Sequence, residues 1–153
     1  MRRQDKEITD RAAIDEIIRR APVCRLGLSD NGQPYVVPLC FGYDGNTLYF
    51  HSAGEGRKLD VLAKNSNVCF EVDIDHEVVK GDLACTCGMN YRSVIGFGTA
   101  VLVDDLDAKR EAFGIIMGHY VDGSFEFPAD VLENTAIIKV EIESMTGKQS
   151  GYE

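Results

Sequence analysis

The run Leu48-Tyr49-Phe50-His51-Ser52-Ala53-Gly54-Glu55-Gly56-Arg57-Lys58-Leu59 concentrates groups that could hold an anion. It reads as a strand, a hydroxyl, a glycine-rich turn, and then two adjacent cations entering a helix. Backbone N–H groups, the Ser52 hydroxyl, Arg57 and Lys58 would converge at one helix N-terminus. Dipole, donors and fixed charges there all favour a phosphate dianion. A solvated basic turn has the same spacing, and spacing alone does not separate the two. The local positive charge stands against a formal net charge of -9 for the whole chain. His51 could stack on a ligand, donate a proton or ligate a metal, or it could simply satisfy one backbone carbonyl. Successive strand side chains face opposite sides, so His51 and Ser52 share a pocket only if the turn at Ala53 bends the strand. His76 and His119 have no supporting neighbours in sequence and read as surface residues.

The other potential chemistry is thiol chemistry. Cys24, Cys40 and Cys69 lie in apolar strand-like runs and read as small core residues. Cys85 and Cys87 form C-x-C with no second paired cluster, so a zinc site would have to recruit distant ligands. No metal site is expected. A chain opening on charged residues from Met1 to Asp10 carries no signal-peptide pattern, so reduced thiols and a soluble cytoplasmic protein are the expectation. The acidic balance argues against nonspecific binding to nucleic acid or anionic membrane. No apolar run approaches the roughly 20 residues that span a bilayer.

These groups need a scaffold to position them. At 153 residues, with 44% hydrophobic and 27% charged residues, the chain is expected to form one domain, 1–153, around a real core. Ile14, Ile17, Ile18 and Ala21 share a helical face over 10–20, which Pro22 ends. Cys24, Leu26 and Leu28 alternate as a strand and meet the hairpin turn Asp30-Asn31-Gly32. The returning strand spans 34–42, with Pro38 marking an edge or bulge. Asp44-Gly45-Asn46 turns it into a strand over 47–52. A helix over 56–64 follows, then a one-side-buried strand over 68–74. Residues 76–90 read as an irregular excursion. A strand is expected over 91–103, a helix over 105–120, a loop around Phe125, Phe127 and Pro128, and a final strand over 136–142. Short strands joined mostly by tight turns predict a mainly β protein, a six-stranded antiparallel barrel with peripheral helices.

At this point the residues resemble a known family. The chain is similar to the pyridoxamine 5'-phosphate oxidase-like, FMN-binding split-barrel superfamily, and within it to the nitroimidazole resistance (Nim) proteins. The resemblance rests on Met1-Arg2-Arg3 with Asp5, Glu7 and Asp10, and on Arg25-Leu26-Gly27-Leu28 followed by Pro34-Tyr35-Val36-Val37-Pro38-Leu39. It continues through Tyr49-Phe50-His51-Ser52 with Lys58-Leu59, Tyr91-Arg92-Ser93-Val94 with Gly98, and Thr146-Gly147-Lys148. It implies a split β-barrel whose FMN phosphate is gripped by Arg57, Lys58 and Ser52, with Ser93 as a further polar contact. It places Val36, Val37, Pro38 and Leu39 along the isoalloxazine, and His51 at the flavin as the catalytic candidate.

The implied activity is FMN-dependent oxidoreduction. Electrons would pass from a reduced nicotinamide or another small donor to small electron-poor acceptors such as nitroaromatics. The extra C-terminal Arg and His residues of true pyridoxamine phosphate oxidases are missing, which argues against vitamin B6 oxidation. Related split barrels bind haem, so the alternative is a haem- or flavin-binding protein without reductase activity, with His51 as an axial ligand. The resemblance also implies a homodimer with two flavin sites at its interface. The apolar segments 136–142 and Phe125-Glu126-Phe127 are the expected partner surface, and Lys148 is placed to reach the partner's flavin.

Overall fold

A computed structural model of the chain describes residues 3–152. Met1 and Arg2 of the opening motif lie outside the described residues. The chain order is β1 (Glu7–Ile8), α1 (Arg11–Arg20), β2 (Cys24–Asp30), β3 (Gln33–Leu39), β4 (Gly42–Tyr43), β5 (Thr47–Ala53) and α2 (Arg57–Lys64). It continues with β6 (Asn67–Val79), β7 (Gly88–Val103), α3 (Leu106–Tyr120), α4 (Ala129–Asn134) and β8 (Thr135–Ser150). All strands join one antiparallel sheet in the order β3-β2-β6-β7-β8-β5-β4, with β1 paired to β8.

The two ends of that path, β3 and β4, are consecutive in sequence and joined only by Cys40 and Phe41. The sheet must therefore curl until its ends meet, which makes it a barrel. Gly42 pairs with Tyr49 and Tyr43 with Leu48. Continued backwards, that register brings Leu39 level with Ser52, where β3 and β5 are no longer paired. The barrel is split there. This is the expected antiparallel split barrel with peripheral helices.

Alternation supplies the core. Leu26, Phe50, Phe70, Val72, Val94, Ile138 and Val140 are fully buried on the inner face. Ile14, Ile17 and Ile18 of α1 pack against them, and Asp10 caps that helix by accepting the Ala12 N–H at 3.1 Å. Ala112 and Ile116 of α3 pack with Ile137 on the outer face of β8.

Four expectations change. Among the described residues the strands number eight rather than six, because β1 and β4 have two residues each, too few for alternation to register. The excursion read over 76–90 is shorter, confined to 80–87: β6 runs to Val79 and β7 starts at Gly88. A register shift between Ile74 and Glu77, with Asp75 at φ 57°, breaks the alternation there. The 136–142 segment is no partner surface, because Ile137, Ile138 and Val140 are fully buried within their own chain. Cys40 is exposed, since it follows Val36 and Pro38 on the outward-facing parity of β3.

The histidines outside the turn also have partners. His119 Nε2 lies 2.7 Å from the Ala21 carbonyl, and its ring sits 4.3 Å from that of Phe41. His76 Nε2 lies 2.6 Å from Asp73.

The bulge residue Asp75 links elements through charge. It bonds Arg20 at 2.6 Å and Arg92 at 2.8 Å, while its carbonyl accepts from Tyr152 Oη at 2.8 Å. Burial alone would raise its carboxyl pKa, but the two guanidiniums outweigh burial and hold it below the usual carboxylate value. A folded pKa below the unfolded one contributes stability that is complete above the unfolded value of about 3.9. That contribution is lost as pH falls through the folded value. Thermal unfolding should therefore shift down as the pH drops below ~4, and Asp75→Asn should flatten that part of the profile. An acid profile identical in the variant would contradict this role.

Candidate functional site

The turn before α2 fixes the site. Gly56 has φ 133°, a conformation that suits glycine, and it caps the helix without a side-chain bond. The Leu59 and Asp60 N–H groups bond the Gly56 carbonyl, so the first-turn N–H groups of Arg57 and Lys58 have no intrahelical acceptor. The Arg57 guanidinium lies 4.5 Å from the Tyr35 ring centroid, with the Asp30 carboxylate 3.8 Å away. Lys58 is half-buried and makes no ion pair or hydrogen bond among the described residues. Burial pushes its ammonium pKa down. A partly desolvated cation with no counter-charge, beside an uncapped helix start, is a site suited to an anion.

Arg57 connects this turn to β3. Val37 and Leu39 pack on the core, whereas Val36 is 61% exposed and Pro38 is exposed. Strand β3 pairs only with β2, so its far edge is open. Proline cannot donate to a ladder, and Pro34 and Pro38 share parity with Val36. That parity directs the Val36 N–H and C=O towards the open edge, along the split. An apolar strand edge with free amide groups, ending at a cationic turn, can hold a flat ligand that carries a phosphate.

The other candidates divide between two faces. Ser52 is half-buried, pairs with Ala136 and stands level with Leu39 at the split. His51 points to the other face, as alternation requires, and is exposed there. Its ring stacks 6.0 Å from Phe113, which lies 5.1 Å from Phe127, which in turn is 6.5 Å from Phe125. Phe125 and Phe127 thus extend an aromatic row within their own chain.

Ser93 stands opposite Asp73 and Lys148. Arg57 instead reaches Asp30, which the β2–β6 register, continued, brings level with Ser66, seven residues along from Asp73. At roughly 3.3 Å per residue that is about 23 Å, so a single chain does not bring Ser93 to Arg57 and Lys58. Lys148 lies near Ser93, its ammonium 5.6 Å from the Tyr91 ring centroid. Arg25 is paired with Glu71 at 3.1 Å and with Asp73.

Sequence reasoning missed three residues. Tyr35 and Asp30 meet Arg57 only through the β2–β3 register, and the Asp30-Asn31-Gly32 turn was the available signal. Lys109 is buried, and its ammonium donates to the Leu132 carbonyl at 3.0 Å and the Thr135 carbonyl at 2.9 Å. Thr135 pairs with Ala53, so Lys109 braces the strand end from which the turn departs. A lysine in an amphipathic helix gave no sign of this. Among the described residues, no helix is long and apolar enough to cross a membrane.

A family model described as pyridoxamine 5'-phosphate oxidase matches residues 10–149. A candidate 5-nitroimidazole antibiotic resistance protein from Bacteroides thetaiotaomicron is 38% identical over 94% of this chain and 86% of its own, with a TM-score of 0.85. A flavocytochrome from Azotobacter vinelandii, 24% identical, matches 99% of this chain and 72% of its own at a TM-score of 0.87. An FAD- and haem-binding protein from Mycobacterium smegmatis, also 24% identical, matches 96% and 74% at 0.78. No curated protein sequence matches the chain.

Proposed function

The chain belongs to the pyridoxamine 5'-phosphate oxidase family, and from that premise we propose that it is an FMN-dependent oxidoreductase. It takes electrons from a reduced nicotinamide or another small donor and delivers them to small electron-poor acceptors such as nitroaromatics. The observation that carries the reading is Lys58, a half-buried cation without a counter-charge beside Arg57, at an uncapped helix start facing the open edge of β3. The 38% identity to a candidate nitroimidazole resistance protein supports the acceptor class.

Bound FMN supplies the reversible uptake and release of electrons. The chain's own residues bind and orient it. Arg57, Lys58, Ser52 and the free N–H groups of the α2 start hold the phosphate. The edge of Val36, Val37, Pro38 and Leu39 offers backbone polar groups and an apolar wall to the ring. His51, exposed on the face opposite Ser52 and steadied by Phe113, takes no part in holding the phosphate; its role is proton exchange with an acceptor that reaches over the lip of β5 to its imidazole. Replacing His51 by alanine should lower turnover by roughly 10² to 10⁴, the usual range for acid–base groups, with FMN affinity nearly unchanged. Equal loss of both would make His51 a structural residue.

Anaerobic mixing of the FMN-loaded protein with NADH or NADPH and a panel of nitro compounds tests the activity. Reoxidation by nitroaromatics is expected. Reduction without reoxidation by any acceptor would leave a flavin-binding role only.

The reading includes a homodimer with flavin sites at its interface. Ile95, Phe97 and Val101 are 45%, 55% and 47% exposed and share the outer face of β7 with Ser93. That apolar row, rather than 136–142, is the surface we assign to the partner copy. Ser93 and Lys148 lie on it and would act on the other protomer's flavin, which accounts for their distance from Arg57 within one chain. Light scattering should give twice the 16.9 kDa chain mass, and Phe97→Asp should give monomers. A wild-type monomer that retains FMN would contradict the interface site.

A further inference from the structure

The hairpin between β6 and β7 carries chemistry that the flavin reading does not use. Cys85 and Cys87 are both exposed there, two residues apart, on a 3-10 turn spanning Ala84–Thr86. We infer that they form a reversible dithiol–disulfide pair, oxidised by hydroperoxides.

The turn is held in a defined shape. Thr86 Oγ1 donates to the Leu83 carbonyl at 2.8 Å and accepts the Leu83 N–H at 3.2 Å, while the Thr86 N–H bonds the same carbonyl at 2.9 Å. The Gly81 N–H points at Cys87 Sγ at 3.4 Å, and the same sulfur lies 3.7 Å from the Gly81 carbonyl and 3.6 Å from the Leu83 carbonyl, so the turn fixes where the Cys87 thiol sits. The remaining cysteines do not offer such a pair. Burial pushes the Cys24 thiol up to about 12 and raises the half-buried Cys69. Cys40 is exposed but stands alone in the link after β3.

Residues two apart around such a turn have Cα atoms roughly 5–6 Å apart, within the ~4.4–6.8 Å that disulfides span. Their side chains leave the turn in different directions, so closing the bond requires rotation at Thr86 and release of its clasp on Leu83. A disulfide closed against such resistance is readily reduced, which suits a switch better than a staple.

The step balances with a hydroperoxide as oxidant. The Cys87 thiolate attacks the outer peroxide oxygen, the O–O bond breaks, and an alcohol or water leaves once protonated. The resulting sulfenic acid at Cys87 is attacked by the Cys85 thiolate, forming the S–S bond and releasing water. Two thiols are oxidised by two electrons and one peroxide is reduced.

Trypsin cleaves after Lys80 and Arg92, so residues 81–92 are released as one peptide holding both thiols and no other cysteine. After the reduced full-length protein is treated with hydrogen peroxide, that peptide should lose about 2 Da and regain it with a dithiol reductant. Cys85→Ser and Cys87→Ser should each abolish the loss. Thr86→Ala, which removes the clasp but keeps both thiols, should oxidise several-fold faster. Oxygen addition at one cysteine without the 2 Da loss, a disulfide to Cys40 or to a second chain, or an unreactive peptide would each overturn the inference.

Discussion

Replacing Arg57 and Lys58 together by alanine is expected to weaken FMN binding by about 3–6 kcal/mol, since each charge-assisted bond is worth about 1.5–3 kcal/mol. That corresponds to a dissociation constant raised by roughly 10² to 10⁴. Lys58 should account for the larger part. It is half-buried and has no counter-charge among the described residues, whereas Arg57 keeps Tyr35 and Asp30 as neighbours. Because burial already lowers the Lys58 pKa, affinity should hold at neutral pH and fade as rising pH removes the ammonium proton, at a value below the ordinary lysine range. In the Lys58→Met variant that alkaline fade should vanish. The fold should survive either change, since both side chains lie outside the core. Fluorescence titration of FMN against each variant, with circular dichroism as the control, makes the measurement. Unchanged affinity in the folded double variant would place the phosphate elsewhere.

Phe70→Ala should destabilise the protein by about 3–5 kcal/mol, the usual cost of emptying a buried aromatic site. Phe70 is fully buried at the barrel centre. It pairs with Gly96 on the neighbouring strand, and a Cβ on Gly96 would overlap its ring and lie 2.8 Å from the Ser144 carbonyl oxygen. Gly96→Ala should therefore also destabilise, by about 1–3 kcal/mol of overpacking. The two effects should not add. With the Phe70 ring gone, the new methyl finds space on one side, so the double variant should be more stable than the sum of the single losses implies. Denaturant unfolding of the four proteins closes the cycle, and strict additivity would contradict the packing described for this pair. Losses of this size are a large share of a typical stability of about 5–15 kcal/mol.

Much of the scaffold is legible in the residues themselves. Cys24, Leu26 and Leu28 alternate because one face of β2 is buried, and the Asp30-Asn31-Gly32 turn announces the return of β3. The helix at Arg57 is readable from its glycine turn and from the apolar Leu59, Leu62 and Ala63, although Val61 rather than Ala63 is buried. What alternation cannot convey is closure. Nothing local says that β3 and β5, with two residues between β3 and β4, become the two lips of one split. The contact of Arg57 with Tyr35 follows from that closure, and so does the separation of Ser93 from Arg57 within one chain. The strand ends at 76–79 and 88–90 read as part of the excursion for a different reason. One bulge at Asp75 shifts the pattern by a residue, and a shift of one inverts the face of every residue after it. Residues 136–142 misled in the opposite sense, because an apolar strand has the same sequence whether it fills its own core or a partner's interface.

The central claim is that the split between β3 and the start of α2 holds FMN through its phosphate. The most direct measurement is the absorbance spectrum of the purified protein, before and after dialysis against FMN. Flavin bands near ~450 nm, bound at one per chain and lost in the Arg57→Ala/Lys58→Ala variant, are the expected result. A Soret band near ~400 nm without flavin bands, or flavin bands retained in full by the double variant, would contradict it.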